Sequence, residues 1–127
     1  ISTADHVVLS LPLTDATRGF FGQAEFAAMK PTAHIYNVGR GPCIVKEALF
    51  LALDNRTIAG AGLDVTDPEP LPPDDPHWFY PNVILSQHSS GYSPNLDGRL
   101  ADIFIHNLNC YRAGKPLLNL VDFTRGY

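Results

Sequence analysis

His34-Ile35-Tyr36-Asn37-Val38, closed by Gly39-Arg40-Gly41, is the stretch on which the fold turns. A short run of β-branched and aromatic residues ends on two glycines that flank a charged one, which predicts a strand running into a tight loop. Upstream, Gln23 to Met29, with Phe21, Phe26 and Met29 as the large apolar members, fits a short helix that Pro31 stops. Before it, Asp5-His6-Val7-Val8-Leu9-Ser10-Leu11 reads as a buried strand ended by Pro12 and the polar Thr14-Asp15 pair. Downstream, Val45, Leu49, Ala52 and Leu53 recur at i, i+4, i+7 and i+8, the spacing of one helix face, and Asp54-Asn55 end it.

The pattern continues to the end of the chain. Thr57 to Val65 predicts a third strand, whose small Ala59-Gly60-Ala61-Gly62 segment lets other backbone or a ligand come close. From Thr66 to Pro81 the composition turns to Pro and Asp, and a long loop with no regular element is expected. Asn82 to Ser86 reads as a fourth strand; Ser93-Pro94 offers a helix cap followed by proline at the first helical position. Leu100, Ile103, Phe104, Leu108 and Tyr111 mark one face of a last helix closed by Gly114 and Pro116. Strands alternating with helices predict an α/β fold, a parallel sheet covered by helices.

Composition narrows the class. Of 127 residues, 45% are apolar and 17% charged, enough to fill one core. Nine Lys+Arg against thirteen Asp+Glu give a formal charge of −4 with no basic cluster, so no footprint for nucleic acid or an anionic membrane is present. No apolar run has the length of a bilayer span, and the first residues lack the pattern of a signal peptide. Cys43 and Cys110 are far apart with no CxxC spacing, and no histidines are spaced as zinc ligands, so no metal site is expected; both cysteines read as buried small apolar residues in a reducing cytoplasm. The first residue is Ile1, not Met, so a piece of a longer protein is expected.

In sheets of this type ligands bind beyond the carboxyl ends of the strands, where loops and helix N-termini converge. Those ends carry Pro12 and Thr14 after the first strand, Asn37, Gly39 and Arg40 after the second, Asp64 and Glu69 after the third, and His88, Ser90 and Gly91 after the fourth. Arg can hold a carboxylate through two parallel charge-assisted bonds, and His can exchange a proton near neutral pH. A neighbouring carboxylate favours the imidazolium form. Together the set suits reduction of a carbonyl beside a carboxylate. On position alone Arg40 could be a surface residue and Glu69 a solvated carboxylate, and Gly60-Ala61-Gly62 is not a phosphate loop, since Val65 stands where GxGxxG needs its third glycine.

Eight blocks in order tip this balance. Ala4 to Leu9 with Leu11-Pro12-Leu13-Thr14, Met29-Lys30-Pro31, Asn37 to Gly41, Glu47-Ala48-Leu49 with Ala52-Leu53, Gly60 to Val65, Glu69-Pro70-Leu71-Pro72, Pro81 to Leu85, and His88 with Gly91 resemble the D-isomer-specific 2-hydroxyacid dehydrogenases. The resemblance implies the carboxyl-terminal half of a Rossmann-type doubly wound sheet in residues 1–116, with 117–127 a tail returning toward an absent substrate domain. It implies Arg40, Glu69 and His88 as the catalytic set: Arg40 on the substrate carboxylate and carbonyl, His88 as general acid/base, and Glu69 orienting and protonating it. Asp64 resembles the aspartate that holds the nicotinamide carboxamide. Val38, Gly39, Arg40, His88, Ser90 and Gly91 fall at the family's cofactor contacts, with Pro12 and Thr17 near the ribose.

NAD or NADP is the implied cofactor and a small 2-oxo or 2-hydroxy acid, such as glyoxylate or hydroxypyruvate, the implied substrate. A cytoplasmic homodimer is the implied full-length protein, and the segment by itself is expected to be inactive and, with sheet edge and apolar surface exposed, to self-associate. A corepressor-like nucleotide sensor of the same fold, or a truncated fragment without function, is the alternative. The chain departs from the family pattern at Ser86-Gln87, where Thr-Pro is common, at Thr66, where an aromatic is usual, and at Lys46, where an acid is frequent. Glu69 stands where the formate dehydrogenase branch has glutamine, which argues against that branch.

Overall fold

The structure, a computed structural model, describes residues 1–127. Four short strands, β1 (His6–Leu9), β2 (His34–Asn37), β3 (Gly60–Leu63) and β4 (Val83–Leu85), form one parallel sheet in sequence order. Helix α1 (Gln23–Ala27) joins β1 to β2, and a 3-10 turn (Gly41–Cys43) with α2 (Lys46–Asp54) joins β2 to β3. The expected α/β parallel architecture is present.

The core follows from the period-2 alternation of the strands and the 3.6-residue period of the helices. Leu9, Ile35, Ala61 and Leu63 point to one sheet face, where Phe21, Phe26, Met29, Leu49, Ala52, Leu53 and Ile58 cover them. The rings of Phe21 and Phe26 meet edge-to-face with centroids 4.9 Å apart. Residues of the opposite face stay open: Val8 is 61% and Ile84 74% exposed. β1 is therefore buried on one face only, not throughout as its composition suggests, because α1 and α2 pack on a single side. Gly62 lies under Tyr36, whose ring an added Cβ would meet at 2.8 Å.

Three boundaries differ from expectation. β3 covers Gly60–Leu63 only; Thr57 N donates to the Ala52 carbonyl, so the preceding residues still belong to the exit from α2. The proline-rich segment contains a 3-10 turn, Pro76–Phe79, because the Asp75 side chain accepts from His77 N and Pro76 fits the first helical position. Helix α3 (Leu96–Arg112) starts after Asn95 rather than at Ser93-Pro94; Ser93 contributes its backbone carbonyl to Leu96 N, not a side-chain cap.

The chain packs as two units, Ile1–Ser90 and Gly91–Tyr127. Residues 91–116, grouped with the sheet by sequence, thus fall in the second unit. Within it α3 has no buried residue, and Cys110, expected to be buried, is half-exposed beside His106 at 3.4 Å. Gly114 at φ +63° closes α3, and Asn107 holds the tail through both hydrogen bonds of its amide to Leu118. No helix is long and apolar enough to cross a membrane.

Candidate active site

The strand register places the site. Leu9, Asn37, Leu63 and Leu85, the last residues of the four strands, are mutual register partners across the sheet, so all four chains leave it at one level. Val38 N, Asp64 N and Ser86 N carry the ladder one residue further, donating to the carbonyls of Leu9, Asn37 and Leu63. Arg40 and His88 then each stand three residues past a strand end, on β2 and β4 (40 − 37 and 88 − 85). Two strand spacings, about 10 Å, separate those strands.

The loop after β2 is shaped by Asn37, which is 1% exposed. Its Oδ1 accepts from Gly39 N at 3.1 Å and its Nδ2 donates to the Arg40 carbonyl at 2.9 Å. A Cβ at Gly39 would lie 2.6 Å from the Leu11 carbonyl oxygen and 2.8 Å from Leu11 N, so only glycine lets this loop lie against the one after β1. The Arg40 side chain is exposed and folds back so that Nη1 donates to the Gly39 carbonyl at 2.8 Å.

The turn after β4 is held by Asp64. Its buried carboxylate accepts from Ser86 Oγ at 2.6 Å and Ser89 N at 2.9 Å through Oδ1, and from Ser90 N at 2.8 Å through Oδ2. The Ser86 hydroxyl foremost, then Ser90 and the two amides, keep this carboxyl far below the usual carboxylate range against the opposing effect of burial. Between Ser86 and Ser89 the chain passes through His88 at φ +56°, the left-handed region, a conformation that costs a non-glycine residue about 1–3 kcal/mol and clusters at functional sites.

His88 Nδ1 donates to Glu69 Oε1 at 2.6 Å. With the carboxylate accepting, Nδ1 carries the hydrogen and Nε2 is the nitrogen left for another partner. Glu69 and His88 border a cleft of about 290 Å³ whose walls include Pro70, Leu71, Trp78 and Leu85. The loop that brings Glu69 here is fastened at its far end: Asp75 accepts from Lys46 Nζ on α2 at 2.6 Å and from His77 Nδ1 at 2.7 Å, and Trp78 Nε1 donates to the Pro72 carbonyl.

Glu69 and His88 thus meet directly, and Asp64 and Ser90 belong to the same cluster through hydrogen bonds. Val38, Gly39 and Arg40 occupy the same rim, but Arg40 does not line the Glu69–His88 cleft. Pro12 and Thr17 form a separate hydrogen-bonded loop, Thr17 Oγ1 donating to the Pro12 carbonyl at 2.6 Å. Gly91 opens the second unit. Asn37 and Ser86 had no role assigned from sequence, yet each positions a loop of this rim. A polar residue inside the apolar run Ile35-Tyr36-Asn37-Val38 was the available signal for the first, since a buried amide must find partners.

A level rim of a parallel sheet bearing an Arg, a paired His and Glu, and a buried Asp defines a class, the parallel α/β domains that gather polar side chains beyond their strand ends. Residues 1–90 match the model of the D-isomer specific 2-hydroxyacid dehydrogenase, NAD binding domain, and the chain belongs to that family. It is 38% identical over 122 residues to a glyoxylate reductase of Korarchaeum cryptofilum, covering 96% of this chain and 37% of that protein. A D-isomer specific 2-hydroxyacid dehydrogenase of Xanthobacter autotrophicus, crystallised with NADPH and MES, superposes with a TM-score of 0.90 at 37% identity over 99% of this chain and 51% of that one. An NADPH-dependent glyoxylate/hydroxypyruvate reductase of Sinorhizobium meliloti, crystallised with NADP and sulfate, gives 0.88 at 34% identity over 99% of this chain and 41% of that one. The chain spans about two fifths of the curated relatives it matches, 41% and 37% of the first two.

Proposed function

We propose that the protein carrying this chain reduces the C2 carbonyl of a short 2-oxo acid to the D-2-hydroxy acid at the expense of NADH or NADPH, and runs the reverse oxidation. The observation that carries this reading is the 2.6 Å Nδ1–Oε1 bond between His88 and Glu69 on the rim that also bears Arg40. The residues present fit the nicotinamide end of such a cofactor. Asp64 uses three acceptor positions of a carboxylate that offers about four, and side-chain-free Gly39 lies on the same rim. No Gly-x-Gly-x-x-Gly turn occurs in the 127 residues, so the pyrophosphate cradle is not among them.

When bound, the nicotinamide supplies the hydride that adds to C2. The carbonyl π electrons move onto oxygen, and His88 gives its Nε2 proton to that oxygen as it turns negative. Glu69, accepting from Nδ1, fixes the tautomer and the ring plane and stabilises the ring when it is charged. Arg40 offers a fork for the substrate carboxylate and positive charge beside the carbonyl. Glyoxylate and hydroxypyruvate are the proposed substrates, supported by the names of relatives similar over most of this chain. The working protein is taken to be a cytoplasmic homodimer: two free thiols suit a reducing compartment, and the exposed Phe104 and Tyr111 of α3 suit an assembled state.

The test is the rate of NADH and NADPH oxidation with each 2-oxo acid by the full-length protein. His88→Ala should lower kcat by about 10²–10⁴-fold, and Arg40→Ala should raise KM for the oxo acid as well as lower kcat. Near-normal turnover in His88→Ala would remove the imidazole from the reaction.

A further inference from the structure

We propose that Asp64 is a positioning residue for His88, acting through the backbone of the turn it clamps and not only through contact with cofactor. The inference rests on the reading of His88 and Glu69 as the proton-transfer pair.

Three observations converge on it. The Asp64 carboxylate is 5% exposed at the exit of β3, and all three of its hydrogen bonds come from the segment 86–90: the Ser86 hydroxyl and the amides of Ser89 and Ser90. The two amides directly follow His88, whose φ of +56° is a backbone state that L residues seldom adopt unless neighbouring structure enforces it. The ring itself is held from elsewhere in the chain by Glu69, which is 39% exposed and belongs to the proline-rich loop. One carboxylate therefore fixes the backbone that carries the imidazole and a second fixes the ring. The buried one sits on the sheet and the half-exposed one on a loop, so the rigid part of the arrangement is Asp64.

Ser86 follows from the same geometry. It occupies a position where family members commonly carry threonine, and its hydroxyl makes the shortest bond to Asp64, at 2.6 Å. Any residue here without a hydroxyl would withdraw one donor and loosen the clamp without touching the reacting atoms.

The experiment has an arm that needs no cofactor. In the full-length protein without added cofactor, exchange of the Ser89 and Ser90 amides and the nitrogen signals of the His88 ring are followed by NMR for the wild type, Asp64→Asn and Ser86→Ala. Asp64→Asn presents a donor to Ser90 N and should abolish protection of that amide, weaken that of Ser89 and blur the single ring tautomer; Ser86→Ala should weaken both partially. In the full-length protein, Asp64→Asn should lower kcat by about 10²-fold, and Ser86→Ala, which leaves the carboxylate in place, should lower kcat by less while KM for the nicotinamide cofactor changes by less than about threefold. Unchanged amide protection and ring signals in both variants would overturn the proposal, as would a raised cofactor KM with kcat intact. Because the amide and ring signals are read without any reaction, loss of the clamp in an enzyme that fails to reduce either oxo acid would leave this inference standing and remove the proposed activity.

Discussion

Asp75 shows how far a single carboxylate's surroundings decide its behaviour. Burial by itself would push its carboxyl up, but the bonds from Lys46 and from the His77 amide and ring outweigh burial and bring it down to about 2. A folded group that ionises more readily than the unfolded one stabilises the fold fully above its unfolded value near 4. That stabilisation is lost as pH falls through about 2. Thermal midpoints measured from pH 7 down to 2 should thus decline steeply below about 4, and Asp75→Asn should flatten the decline. At pH 7 the same variant should cost about 1–3 kcal/mol, because the one oxygen an amide keeps can serve the His77 amide and ring or the Lys46 ammonium but not both, and its NH2 faces the other donor; an unchanged midpoint there, with the same acid slope, would show that the fastening of this loop does not depend on Asp75. His77 illustrates what sequence conceals. Nothing in a loop of Pro and Asp marks it as buried, yet it is 4% exposed against the Phe50 ring at 4.6 Å.

At the scale of elements, the helices and strands were legible wherever one face carries the signal. The Val45, Leu49, Ala52, Leu53 spacing recovered α2 within a residue, and Leu49 is 2% exposed in the core. Leu49→Ala should therefore cost about 2–5 kcal/mol in denaturant unfolding; a cost near zero would mean that α2 does not pack as described. The loop after β2 is equally constrained: Gly39→Ala drives a Cβ against the Leu11 backbone at 2.6 Å, which cannot yield as a side chain would, and should destabilise by about 1–3 kcal/mol. Two features were not legible. The run from Val7 to Leu11 reads as buried whether one sheet face is covered or two, because β-branched composition reports strand and not layer. Ser93-Pro94 has the chemistry of a helix start, yet α3 begins at Leu96, since a cap signature states what a residue can do and not which backbone geometry the chain adopts.

For the whole molecule, parallel register is what turns four separate strand ends into one rim. The positions on that rim were readable, because Arg40, Asp64 and His88 each follow an apolar run, while the roles expected of Arg40, Glu69 and His88 came from the family resemblance and not from spacing. Their geometry was not: Glu69 reaches His88 across 19 positions of chain by a loop whose fastening to α2 through Lys46 has no sequence period. Nor could spacing show that Asn37 and Asp64, each at or just beyond a strand end, spend their polar atoms on the neighbouring loops. The most direct test of the central claim is to supply the full-length protein with nicotinamide cofactor deuterated at C4 and hydroxypyruvate or glyoxylate, then to locate the label in the product. Label at C2 of the hydroxy acid, in the D configuration for the product of hydroxypyruvate, and its loss in His88→Ala, is the expected result. Product without C2 label, or equal labelling by His88→Ala, would contradict the account.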